Sequence, residues 1–297
     1  MSDTKPILPE LEACATKLEA SDSYKVLRKV PEPKKAKIRT NDELRYAMIV
    51  DTETTGLDLR TDEVIEFGFI LVAYKDHDLN YIKDFGNEMR EPDRKIPEQV
   101  QYLTGITPEM VKGKRLSEEK ILGALSLASI VIAHNAAFDR PICERLFPEF
   151  ADKPWACSLT EVPWKKYGFE SAKLKYLLLE NGYFFEGHRA LDDCAALETL
   201  LNLASPSGRS FFEELMESAR QPSFVFRVQA PYGLRQKMRD FGFRWSPFEK
   251  RAGGEWLKTV RSEDFESERN RIEKMEREGA RLSYIEQDAF TRYRLRS

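Results

Sequence analysis

Five apolar residues, YAMIV at 46–50, run without a break into Asp51-Thr52-Glu53-Thr54-Thr55-Gly56. A short apolar run of this kind reads as a buried strand, and it stops at two carboxylates. Residues two apart in a strand face the same side, so Asp51 and Glu53 project together at the end or edge of a sheet. Like charges that close repel unless a cation lies between them. A hard divalent ion taking oxygen ligands, Mg²⁺ or Mn²⁺, is the natural partner, and Gly56 would let backbone approach a ligand closely. The competing reading is two solvated turn residues: with 50 acidic residues among 297, an Asp-x-Glu match arises by chance in a chain of this size.

The surrounding pattern places this strand in a layered domain. YAMIV, VIEFGFILVAY and LNYIKDF are separated by the turn-like stretches DLRTDE and KDHD, and read as three strands joined by tight turns. After them IPEQVQYL, SEEKILGALSLA, FDRPICERLF, SAKLKYLLLENG and LDDCAALETLLNLA show helical spacing, interrupted by the short runs IVIAHN and WACSL. Strands first, then alternating helix and strand, imply an α/β mixed sheet flanked by helices. Residues 8–29 read as a short helical pair, with Ser21-Asp22-Ser23 capping the second helix, and PEPKKAKIRT as an exposed basic linker. SPSGRSFFEE with QPS at 221–223 reads as a boundary. Beyond it come a small strand-helix-hairpin module and a charged helical tail, SEDFESERNRIEKMEREGARL. The expected division is 1–44, 45–205 and 223–297.

Two further sites carry polar residues at element ends. IVIA is followed by His134-Asn135-Ala136-Ala137-Phe138-Asp139, which places Asp139 in the first turn of a helix. There an acidic side chain is also ordinary helix-start chemistry, and His134 reads as a structural hydrogen-bonding residue. Gly187-His188-Arg189-Ala190-Leu191-Asp192-Asp193 leads into the helix CAALETLLNLA. A mobile histidine beside a metal-bound carboxylate suits a general base; the alternative is a surface histidine with Asp192 or Asp193 as a helix cap.

Taken together, DTETTG, HNAAFD and HRALDD resemble, in order, the motifs of the DnaQ-like (DEDDh) 3'-5' exonucleases, the family of the proofreading epsilon subunit of DNA polymerase III. LTGIT at 103–107, VIEFGFI at 64–70 and CSL at 157–159 add to the resemblance, which covers about Tyr46 to Ala204. His188 stands five residues before Asp193, which disfavours the branch with tyrosine at that place. The resemblance implies a ribonuclease H-like fold and hydrolysis from a free 3' end to nucleoside 5'-monophosphates. It implies Asp51, Glu53, Asp139 and Asp193 as ligands of two Mg²⁺ or Mn²⁺ ions, with Asp51 bridging and Asp139 acting directly or through water. His188 would deprotonate the attacking water. Thr54, Thr55, Gly56, Leu57, His134, Asn135 and Phe138 would hold the terminal nucleotide, although Phe138 reads equally as core. The expected partner is nucleic acid, DNA ahead of RNA. RNA or short oligonucleotides form one alternative substrate class, and an inactive nucleic-acid-binding or polymerase-associated scaffold is the reading from a different class. A polymerase or repair partner stays open.

The net charge of -3 argues at face value against a nucleic-acid partner. Yet residues 224–297 carry 17 Lys+Arg against 12 Asp+Glu, leaving 30 against 38 before them, and part of that acidic excess is the candidate metal cluster. The basic residues of the module alternate with aromatics, among them Phe241, Phe243, Trp245, Phe248 and Trp256, flanked by Arg244, Lys250, Arg251 and Lys258. They read either as an accessory nucleic-acid surface or as the core of a small domain. No run of about 18 apolar residues suggests a membrane span. Four scattered cysteines, Cys14, Cys143, Cys157 and Cys194, fit a reducing cytoplasm.

Overall fold

The computed structural model describes residues 9–36, 43–247 and 253–295. Helix α1 (Pro9–Glu19) and a two-residue strand β1 (Arg28–Lys29) precede an antiparallel meander of β2 (Arg45–Thr54), β3 (Val64–Lys75) and β4 (Asp78–Met89). Helices α2 (Glu98–Thr104), α3 (Pro108–Val111) and α4 (Glu118–Leu127) lead into β5 (Ala128–Ala133), α5 (Ala136–Leu146), β6 (Trp155–Cys157) and α6 (Ser158–Glu161). Then come α7 (Leu174–Glu180), β7 (Tyr183–Phe184), α8 (Ala190–Asn202) and α9 (Phe211–Arg220). The main sheet has the order β4-β3-β2-β5-β6, with β5 parallel to both β2 and β6. It is the mixed sheet that the strand and helix pattern implies.

The long run of β3 is apolar without alternation because both faces of the sheet are covered. Ala47, Ile49, Ile70 and Val72 pack with Cys194, Leu197 and Leu200 of α8 on one side. Met48, Val50, Phe67, Phe69 and Leu71 pack with Ile121 and Leu125 of α4 and Ile142 of α5 on the other. The two faces thereby fix the strand register, since a slip of one residue would exchange them.

Four features differ from the sequence reading. No second helix forms near residue 24: Arg28 N–H donates to Gly182 O and Val30 N–H to Phe184 O, so backbone pairing with β7 takes the chain there. Strand β2 does not stop at Val50 but continues through Thr54, still paired with β3. The stretch read as a boundary contains α9, whose Phe211, Phe212 and Leu215 are buried in the main core. The charged tail is not solvated to its end, because its helix is followed by a further strand and a segment that returns to the main domain.

That module comprises β8 (Ser223–Gln229), α10 (Arg235–Asp240), β9 (Arg244–Pro247), β10 (Gly254–Arg261), α11 (Phe265–Glu276) and β11 (Arg281–Gln287), its sheet ordered β11-β8-β10-β9. Phe226, Val228, Met238, Phe243, Trp256, Ile272 and Met275 form its core, so Phe243 and Trp256 are structural aromatics. Trp245 is 49% exposed. Phe248, Lys250 and Arg251 lie outside the described residues, as do 1–8 and linker residues 37–42.

Candidate active site

Pairing of β2 with β5 ends at Ile49–Ile132, while pairing with β3 continues to Thr54–Val64. Asp51 and Glu53 therefore stand beyond the carboxyl end of the parallel pair, in the position where open α/β sheets hold ligands. Both lie on the face that carries α8. Asp193, in the first turn of α8, meets them there: one carboxylate oxygen from each of Asp51, Glu53 and Asp193 falls within 4.8 Å of the others. Asp139 is not in this group. It is 3% exposed and accepts a 2.9 Å hydrogen bond from the hydroxyl of Thr52, which alternation puts on the opposite face of β2 from Asp51 and Glu53.

The carboxylates bear the cost of this crowding. Burial first, then the charges of Asp139, Asp193, Glu53 and Glu66, push Asp51 well above the usual carboxylate range. Glu53 rises to about 8, by burial and then by Asp193, Glu66 and Asp139, with Arg189 opposing. Burial also raises Asp139 to about 7 against the hydrogen bond from Thr52. Asp193 goes to about 6, again by burial, opposed by the backbone N–H groups of His188 and Arg189. A cluster that holds protons near neutrality for want of positive charge is one a divalent cation would fit, with hard oxygen donors ready for it.

Asp193 serves two ends at once. Its Oδ2 accepts from His188 N–H at 2.8 Å and Arg189 N–H at 3.2 Å, closing the start of α8 as the capping alternative anticipated. His188 is exposed, and its φ of 71° lies in the left-handed region that a non-glycine residue occupies only when its surroundings impose it.

A contact at the start of α8 was missed in the sequence. Glu66, the lone acid in VIEFGFILVAY, is fully buried directly across from Glu53. It accepts from the Arg189 guanidinium at 2.8 Å, from Ala190 N–H at 2.9 Å and from Asn87 Nδ2 at 2.9 Å. Arg189 thus fixes the loop between His188 and α8 to the central sheet. Gly68, opposite Asp51, has a related part: a Cβ there would lie 2.4 Å from the backbone carbon of Ala190. Only glycine lets α8 approach β3 this closely. The available signals were a charge and a glycine inside an otherwise apolar strand.

The other expected site residues are scattered in role. The Thr54 hydroxyl donates to Gly56 O and that of Thr55 to Asp62 Oδ1 at 2.8 Å. The bare Cα of Gly56 makes room for Asp62, since a Cβ would meet its carboxylate oxygen at 2.4 Å. Leu57 is 84% exposed. Burial lowers His134 to about 4 and keeps it neutral. Its Nε2–H donates to Ala172 O and its Nδ1 accepts from Ser158 Oγ, each at 2.8 Å, so both ring nitrogens are engaged within the fold. Asn135 is exposed with φ 102°, and Phe138 is half-buried against the core.

Residues 48–201 match the model of the exonuclease family RNase_T, just over half of the chain. The chain belongs to this exonuclease family. Two curated relatives of the exonuclease domain are a PolC-type DNA polymerase III from Thermotoga petrophila and a DNA polymerase III subunit epsilon from Aquifex aeolicus. The first is 33% identical over 157 residues, 49% of this chain and 11% of the relative. The second is 28% identical over 168 residues, 54% of this chain and 81% of the relative. The chain therefore spans a small part of the PolC-type proteins. In fold it is similar to the zinc-bound E. coli ExoI–ssDNA complex, with TM-score 0.52 and 15% identity over 73% of this chain and 63% of that one. Among the described residues, no helix is long and apolar enough to cross a membrane.

Proposed function

We propose that the protein is a divalent-metal-dependent 3'-5' exonuclease that removes nucleoside 5'-monophosphates from the 3' end of DNA, from single strands or frayed ends. The observation that carries this reading is the convergence of Asp51, Glu53 and Asp193 within 4.8 Å, with Asp193 bonded to the backbone of His188. Asp51, Glu53 and Asp193 would hold the cations, Mg²⁺ or Mn²⁺, two per site, with Asp139 directly or through water. Bound there, divalent charge would neutralise the scissile phosphate and acidify water. The imidazole of His188 takes the proton of the attacking water. Its exposure gives it reach, and the Arg189–Glu66 pair keeps its backbone in place. Thr54, Thr55, Gly56, Leu57, His134, Asn135 and Phe138 shape the wall for the terminal nucleotide, with Leu57 and Asn135 the exposed members. DNA is favoured as substrate because both relatives above are DNA polymerase III proteins. The same two relatives favour work beside a polymerase.

Asp193→Asn tests the reading. The variant should fold, keep its helix cap through the amide oxygen, and lose metal-dependent degradation of a 3'-labelled oligonucleotide by about three orders of magnitude or more. Activity equal to that of the unaltered chain would sink it. Run on matched DNA and RNA strands, the same assay decides the substrate class.

A further inference from the structure

Residues 288–295 leave β11 and return to the exonuclease domain. Ala289 O accepts from Trp155 N–H of β6 at 2.8 Å. Arg140, directly after Asp139 on α5, is wholly buried. Its guanidinium donates to Phe290 O at 2.7 Å, Arg292 O at 2.8 Å and Ala289 O at 3.2 Å, and its Nε to Glu144 at 2.7 Å. Arg292 is itself 3% exposed and donates to Glu161 at 2.9 Å and to Gln221 O. Glu161 also takes the Tyr293 hydroxyl at 2.7 Å and Cys157 N–H at 2.9 Å.

Arginine cannot neutralise itself by releasing a proton, so a buried guanidinium is tolerated only while acceptors surround it. Three of the acceptors of Arg140 are backbone carbonyls that lie outside the family-matched residues 48–201. If that segment lifts, Arg140 must turn toward water, and α5 moves with it. Asp139, the neighbouring residue, is tied to β2 through Thr52 and would be drawn out of register with the other carboxylates. We propose that residues 288–295 form a strap that positions Asp139 through Arg140, so that the exonuclease site depends on a segment beyond its own domain. The activity readout rests on the exonuclease reading above; metal binding does not.

The test uses the full chain with Arg292→Met, Arg140→Met, their combination and Arg140→Lys. Two quantities are read: kcat and KM on a labelled oligonucleotide, and Mn²⁺ affinity by electron paramagnetic resonance. Arg292 makes its bonds to Glu161 and Gln221, yet Arg292→Met should lower kcat and Mn²⁺ affinity by about tenfold or more, with KM little changed. Because both side chains hold the same segment to the domain, the combined variant should match the worse single one. Arg140→Lys should retain more of kcat than Arg140→Met. Unchanged kcat and Mn²⁺ affinity in Arg292→Met, or losses that multiply in the combination, would overturn the strap. Should Arg292→Met fail to fold, the Arg140 pair decides, and equality of both variants with the unaltered chain refutes the proposal. If the unaltered chain degrades no oligonucleotide, the exonuclease reading fails while the Mn²⁺ affinities still judge the strap.

Discussion

Glu66 shows how one buried charge organises a neighbourhood. It sits against Glu53, a juxtaposition that alone would be unfavourable, and is compensated by the Arg189 fork and two further donors. Arg189→Met would leave that carboxylate buried and unpaired, a loss of about 3 kcal/mol, which the urea midpoint would register. Adding Glu66→Gln should recover part of it. The raised carboxylates make a second residue-scale prediction. Glu53 goes from an ordinary 4.5 to about 8, so its protonated form is the one folding favours. Its contribution is present in full below the ordinary value and is lost as pH rises through about 8. A bound cation replaces those protons, so the gain in Tm from Mn²⁺ should be larger near pH 8 than near pH 6. A gain independent of pH would contradict the crowded-carboxylate account. The convergence of Asp51, Glu53 and Asp193 was legible in the sequence because each sits in a short motif at an element end. Glu66 was not, since its meaning lies in partners at 87 and 189 that only the fold brings near.

At the scale of elements, two glycines separate close approach from mere presence. Gly68 in β3 faces the backbone of α8 at 2.4 Å from an added Cβ, whereas Gly123 in α4 has nothing within 4 Å. Gly68→Ala should push α8 off the sheet, cost about 1–3 kcal/mol, and displace Asp193 with a loss of activity. Gly123→Ala should instead stabilise the protein by about 0.5–1 kcal/mol with activity intact. Thermal melts and a nuclease assay on the two variants check both. The strands of the main sheet were legible for the reason these contacts are tight: buried on two faces, β2, β3 and β5 each carry a run of apolar residues. β11 was not, because RLSYIEQ is a largely exposed edge strand with no strong period of its own. The second N-terminal helix was misread because β1 is held by pairing with β7, a contact some 155 residues away in Arg28 and Tyr183.

In the whole molecule the family-matched domain is bonded to residues outside it. Arg140, Glu161 and Arg292 join the domain to residues after 287, and Arg261 adds a 2.8 Å bond to Glu161 O from β10. The module after residue 222 is thus held at its root, and its positive excess lies on a body fixed to the domain rather than tethered to it. This also recasts the charge of the chain. The acidic excess of the first part includes a cluster that cations would offset, and the net value says little about the partner. The most direct measurement is a time course on 5'-labelled single-stranded DNA with Mg²⁺ or Mn²⁺, resolved to single nucleotides. The account predicts a ladder shortening one nucleotide at a time from the 3' end, abolished by chelator. Internal fragments without a ladder, or a ladder that persists in chelator, would contradict it.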